Sequence, residues 1–141
     1  MCGIFGYVGS RRDAGRIAID GLKNLEYRGY DSWGVACKRG EGLVVDKDIG
    51  PIGTVDSSLY AAECSLAIAH TRWATHGGVT QRNAHPHLSE DGQIAVAHNG
   101  IVENYLELKR DLKAKGHTFR SETDTEVIPH LIEEELKECG D

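Results

Sequence analysis

Met1-Cys2-Gly3-Ile4-Phe5-Gly6-Tyr7-Val8 opens the chain, and Gly9-Ser10 closes the run. From Cys2 to Val8 it is apolar, glycine-rich and short enough for a buried strand. Its first residue after the initiator methionine is a cysteine. Removal of that methionine leaves a thiol and a free α-amino group on one residue. A terminal amine titrates near about 7.7–8, so part of it is unprotonated at neutral pH and can accept the thiol proton, directly or through a water. Gly3 leaves room for a substrate, and a strand fixes the nucleophile on a rigid element. The same residues also describe a buried cysteine that merely begins a strand. The triplet alone does not choose.

Outward from this strand, Ala14, Ile17, Ala18, Leu22 and Leu25 recur at helical spacing, which predicts a helix over about 13–25 that covers a sheet. Trp33–Cys37 and Leu43–Val45 flank Gly40-Glu41-Gly42 and read as an antiparallel hairpin. After Gly50-Pro51 a short helix ending near Glu63 is expected, then a buried strand at Leu66–Ala69. Residues 70–88 hold four histidines, two arginines and a tryptophan without hydrophobic periodicity, so a long polar loop is expected there. Ile94–Ala97 resumes a strand, which His98-Asn99-Gly100 ends. Tyr105–Ala114 reads as a helix with Asn104 as cap and Gly116 as stop. Val127, Ile128, Leu131, Ile132 and Leu136 make a last amphipathic helix, with a start rich in capping residues at Ser121–Asp124.

The 141 residues suffice for one domain with a core, and 40% hydrophobic with 27% charged content is that of an ordinary globular chain. A net charge of -6 with scattered basic residues argues against a nucleic-acid partner. No apolar run approaches the roughly 20 residues of a membrane helix, and Arg11, Arg12 and Asp13 interrupt any leader-like segment. A cytoplasmic protein without a membrane partner is expected. Cys2, Cys37, Cys64 and Cys139 lie far apart, so reduced thiols are the default.

An acyl-transfer nucleophile needs donors aimed at a developing oxyanion, and Asn99-Gly100 at a strand end offers a side-chain amide and a backbone N–H. An ordinary Asn-Gly turn is the other reading. A zwitterionic amino acid needs a cation for its carboxylate and an anion for its ammonium; Arg72 and Asp124 are candidates, although Asp124 near a helix start also suits a capping role. His85-Pro86-His87, and His70 with His76, lack H-E-x-x-H or Cys/His zinc spacing, so no metal is expected. Gly3, Gly6 and Gly9 form no G-x-G-x-x-G, and no cofactor is expected either.

Taken in order, Met1–Ile4, Leu25–Ser32, His70–Gly77, Asn83–His87, His98–Asn104 and Ser121–Glu126 closely resemble the N-terminal nucleophile glutamine amidotransferases, and within them the glutamine:fructose-6-phosphate aminotransferases. The resemblance implies a γ-glutamyl thioester on Cys2 with its own amine as base, and an oxyanion hole from Asn99 and Gly100. It implies that Arg72, with Thr75 and His76, binds the carboxylate of L-glutamine and that Asp124 binds the ammonium. Arg28 would brace the nucleophile, Trp73 would gate ammonia, and His85 and His98 would support. Trp33 after Asp31-Ser32 and Pro129 in the last helix depart from the family pattern, with Trp33 expected to crowd the adjacent strand and Pro129 to interrupt the helix.

The fold implied is α+β, an Ntn-hydrolase αββα four-layer sandwich of antiparallel sheets, incomplete at the C-terminus. Residues 1–141 would be the N-terminal part of a glutaminase domain, with isomerase domains that bind fructose 6-phosphate absent from this chain and the full enzyme a homodimer. The alternatives are the glutaminase domain of another amidotransferase, such as an amidophosphoribosyltransferase, and an inactive glutamine-binding fragment.

Overall fold

In the computed structural model, which describes residues 1–75 and 77–140, the elements run β1 (Gly3–Val8), α1 (Ala14–Lys23), β2 (Ser32–Arg39), β3 (Gly42–Ile49), β4 (Leu66–Arg72), β5 (His87–Leu88), β6 (Ala95–Val96), α2 (Tyr105–Ala114) and α3 (Val127–Cys139). Four strands form one antiparallel sheet in the order β1-β4-β2-β3, and β5 pairs with β6 in a second.

The period of two along each strand gives the larger sheet two unlike faces. Trp33, Val35 and Cys37 of β2 stand opposite Thr71, Ala69 and Ala67 of β4. With Phe5 and Tyr7 they pack against Ala14, Ala18, Ile19 and Leu22 of α1, which recur at helical spacing. The other face carries Ser32, Gly34, Lys47, His70 and Arg72, and the segment before β5 lies on it. Lys47 Nζ donates to the carbonyls of Ala84 at 2.9 Å and Pro86 at 3.2 Å. Gly34 has to be glycine, because a Cβ there would fall 2.1 Å from the His85 carbonyl oxygen. Beyond β5 and β6 come α3 and then α2, so the layers run helix, sheet, sheet, helices. The α+β class with antiparallel sheets holds.

Several local expectations change. β4 continues through Arg72, so His70, Thr71 and Arg72 are strand and not loop; their polarity hid the pattern, since the face they feed is itself polar. The expected helix before Glu63 is two short 3₁₀ turns, Ile52–Thr54 and Ser57–Tyr60. Asn104 caps α2 by position, without a side-chain hydrogen bond. The last helix begins at Val127, because Ser121 and Glu126 are engaged otherwise: the Glu126 carboxylate accepts from Arg120 N, Ser121 N and Ser121 Oγ. Pro129 is the third residue of α3, where its missing N–H is one the first turn leaves unused, so it interrupts nothing. Trp33 is 6% exposed inside the core and meets Tyr60 edge-on, so its bulk is absorbed and not crowding.

Candidate active site

Pairing of Gly3 with Thr71 sets the beginning of β1 beside the end of β4, and Cys2 therefore beside Arg72 and Trp73. The backbone N–H of Trp73 donates to Cys2 Sγ at 3.2 Å. The Cys2 carbonyl accepts from Arg28 Nε at 3.1 Å and from Asn99 Nδ2 at 3.1 Å. Arg28 ends a 3₁₀ turn, Glu26–Arg28, that follows α1. The next residues clasp the end of β4: Asp31 N donates to Arg72 O at 3.1 Å, and Asp31 Oδ2 accepts from Ala74 N at 2.9 Å. Two segments separated by about forty positions thus form one wall behind the thiol.

A cavity of about 380 Å³ opens in front of that wall. Cys2, Arg28, Arg72, Trp73, Thr75, His85, His98, Asn99, Gly100 and Asp124 all line it. Every described candidate from the sequence therefore borders one space; His76 lies outside the described residues. Met1, His70, Ile101, Thr123 and Thr125 border it too. Residue-by-residue reading does not single out Ile101, Thr123 or Thr125. His70 had a usable signal, the two-residue period that links it to Ile68 and Arg72.

Arg72 is 5% exposed and its guanidinium donates to the carbonyl of Gly78 at 3.1 Å. Burial lowers its pKa, while Cys2, Asp31 and Asp124 oppose that shift. Asp124 accepts from Val102 N at 2.7 Å, so its carboxylate holds the chain just after Asn99-Gly100 and does not cap α3. Gly100 adopts φ +154°, and a Cβ there would meet His98 Nε2 at 2.8 Å, so only glycine fits.

The histidines form a buried stack. His70 and His85 lie face to face at 4.3 Å, and His85 meets His87 at 4.7 Å. His85 Nδ1 accepts from His98 N at 3.3 Å, His98 Nδ1 bonds Thr125 Oγ1 at 3.2 Å, and His87 Nε2 bonds Thr123 Oγ1 at 2.8 Å. Burial keeps these rings neutral: His70 falls to about 4, His87 to about 3, and His85 shifts the same way. Among the described residues, ligand-like spacing occurs at Glu90, His117 and His130, which do not line this cavity. There the two Nδ1 atoms of His117 and His130 hydrogen-bond each other at 2.9 Å, and His117 Nε2 lies 2.8 Å from the Glu134 carboxylate.

Residues 44–141 match the family described as glutamine amidotransferase domain. The chain belongs to that family. As a glutamine amidotransferase domain it is homologous to glutamine–fructose-6-phosphate aminotransferases (isomerizing). It is 57% identical to that of Thermus thermophilus over 95% of its length, 52% to that of Pyrococcus horikoshii over 99%, and 51% to that of Streptomyces coelicolor over 100%. It spans 22–24% of the length of these relatives. Among solved structures, the glutamine phosphoribosylpyrophosphate amidotransferase of B. subtilis, in complex with ADP and GMP, superposes with a TM-score of 0.75 at 33% identity. That match covers 94% of this chain and 29% of the other. A structure described as the allosteric regulatory enzyme of purine biosynthesis gives 0.77 and 35%, with the same coverage. Among the described residues no helix is long and apolar enough to cross a membrane.

Proposed function

We propose that this chain is the glutamine-hydrolysing part of a cytoplasmic enzyme that converts fructose 6-phosphate to glucosamine 6-phosphate with ammonia drawn from glutamine. The reading is carried by one observation: Cys2, Arg72, Asn99 and Asp124 border a single cavity in a chain more than half identical to aminotransferases of that name. Fructose 6-phosphate would bind in an isomerase part of the full protein, outside residues 1–141, and the full protein would be a homodimer.

Removal of Met1 frees the Cys2 amine, which takes the thiol proton as Sγ attacks the side-chain amide carbon of glutamine. Negative charge gathers on the amide oxygen, and Asn99 Nδ2–H and Gly100 N–H donate to it. The carbon–nitrogen bond then breaks, the Cys2 ammonium returns its proton to the leaving nitrogen, and ammonia departs from the γ-glutamyl thioester. A water, deprotonated by the same amine, attacks the thioester and frees glutamate. Arg72, assisted by Thr75 and His76, pairs with the substrate carboxylate, and Asp124 with its ammonium. Arg28 braces the Cys2 carbonyl, His85 and His98 support the site, and Trp73 flanks the exit for ammonia.

The test is labelling of the full-length, methionine-processed enzyme with an electrophilic glutamine analogue. Mass spectrometry should find one adduct, on Cys2, absent from Cys2→Ala. Burial and the neighbouring Cys64 push the Cys37 thiol up to about 12, so it should stay unlabelled. An adduct on Cys37, Cys64 or Cys139, or glutaminase activity in material that retains Met1, overturns the mechanism. Ammonia transfer to a phosphoribosyl substrate instead of fructose 6-phosphate overturns the assigned product.

A further inference from the structure

We infer that His70 is a positioning residue for the oxyanion hole: its ring holds the Asn99 carboxamide with the NH₂ end turned toward the nucleophile. This rests on the reading given above, in which Asn99 is an oxyanion donor.

A carboxamide has an acceptor end and a donor end of nearly the same shape, and only the donor end can stabilise negative charge. Two contacts decide which end faces Cys2. Asn99 Nδ2 lies 3.1 Å from the Cys2 carbonyl oxygen, a group that only accepts. Asn99 Oδ1 lies 2.9 Å from His70 Nε2, so that nitrogen carries the hydrogen and donates. The reversed amide would set two oxygens against each other at the Cys2 carbonyl and waste its NH₂ on the histidine. As the oxyanion forms, the NH₂ can turn to it while Oδ1 stays held.

The ring is unable to turn away. His70 is fully buried, fixed by the β4 register opposite Ile4 and Gly34 and stacked on His85, which is itself held by the backbone of His98. Among the described residues its other nitrogen, Nδ1, has no hydrogen-bond partner. As a neutral ring it has a single N–H, and it spends that on Asn99. Burial, Arg72 and His98 all oppose a second proton, so the ring stays the neutral one-donor form this geometry calls for.

A double-mutant cycle in the full-length, processed enzyme tests the inference. His70→Leu should lower glutaminase kcat about 10- to 100-fold, the scale of a weakened oxyanion donor, with KM for glutamine within about threefold. In an Asn99→Ala background the same change should cost less than about threefold, since the group it positions is gone. His70→Gln, whose amide N–H reaches near the Nε2 position, should restore most of kcat; His70→Asn, which reaches only the Nδ1 side, should not. Equal cost in both backgrounds, a KM effect without a kcat effect, or Asn rescuing as well as Gln overturns the inference. Should His70→Leu fail to fold, the Gln and Asn variants decide it alone by the same criterion. Failure of the wild type to form a Cys2 adduct would instead overturn the proposed function, so the two failures are separable.

Discussion

Arg28 Nε donates to the carbonyl oxygen of Cys2 at 3.1 Å across 26 positions of sequence. The bond runs from a fixed charge to the backbone of the residue that bears the thiol, so it limits rotation of that residue once the preceding peptide bond is gone. A hydrogen bond to a charged group is worth about 1.5–3 kcal/mol. Arg28→Met should therefore lower the thermal midpoint by several degrees at most, since Arg28 is only partly buried, and glutaminase kcat by about 10- to 100-fold. Steady-state kinetics and a melting curve check both halves; full activity in a folded Arg28→Met enzyme would remove the bracing role.

Gly34 of β2 lies directly against the segment bearing His85. Ala at this position places a methyl 2.1 Å from the His85 carbonyl oxygen and 2.8 Å from Lys47 Cγ. The carbonyls on either side are tied to Lys47, so the segment has little freedom to yield. Gly34→Ala should destabilise by about 1–3 kcal/mol, the usual cost of overpacking, and reduce glutaminase activity as the lining of the cavity shifts. Gly42→Ala in the hairpin turn is the control, because nothing lies within 4 Å of an added Cβ there. Denaturant midpoints for the pair decide the matter, and equal values would contradict it.

Acid should weaken the fold before the carboxylates titrate. His70 and His87 fall from 6.5 to about 4 and about 3, chiefly through burial, with Arg72 and Lys47 adding to it and with Asn99 and Glu126 partly offsetting it. A lowered folded pKa means that the unfolded chain binds the extra protons. Stability from these rings is complete above pH 6.5 and drains away as pH falls toward 4 and 3, by at most about 1.4 kcal/mol per pH unit for each ring. Glu126, which burial pushes up but hydrogen bonds from His130, Ser121 and the backbone bring down to about 2, adds its own loss only below 4.5. Urea midpoints should be lower at pH 5 than at pH 7.5, and an unchanged or higher midpoint at pH 5 would contradict the neutral stack.

The elements easiest to read were those with one apolar face. α1, the β2–β3 hairpin and α2 lie close to where spacing and turn residues put them, because hydrophobic periodicity directly reports contact with the core. Hydrophobicity marks β4 only as far as Ala69, since its last residues face a polar layer and periodicity in hydrophobicity cannot mark a strand whose buried neighbours are histidines and lysine. The start of α3 is masked in the sequence for a related reason. Ser121 and Thr123 look like caps, yet Thr123 bonds His87, and the neighbouring Glu122 backbone N–H bonds the Asn83 side chain at 3.0 Å, contacts that span dozens of residues. The same long-range clasps explain why the conspicuous blocks of sequence were recognisable one by one while their mutual placement was not. Asp124 is the clearest case: near a helix start it reads as a cap, and only the Val102 contact reveals that it fastens the segment after Asn99-Gly100.

Alternation along β4 assigns Ala67, Ala69 and Thr71 to the helix-covered face and Ile68, His70 and Arg72 to the cavity side. A single inserted or deleted residue in this strand exchanges the two sets at once, turning an imidazole and a guanidinium into an oily layer and small aliphatic groups into the cavity. Length variation among descendants of this domain is therefore tolerable in the turns around Gly40 and Gly92, but not in these seven residues, where chemistry and cohesion are written on alternate letters.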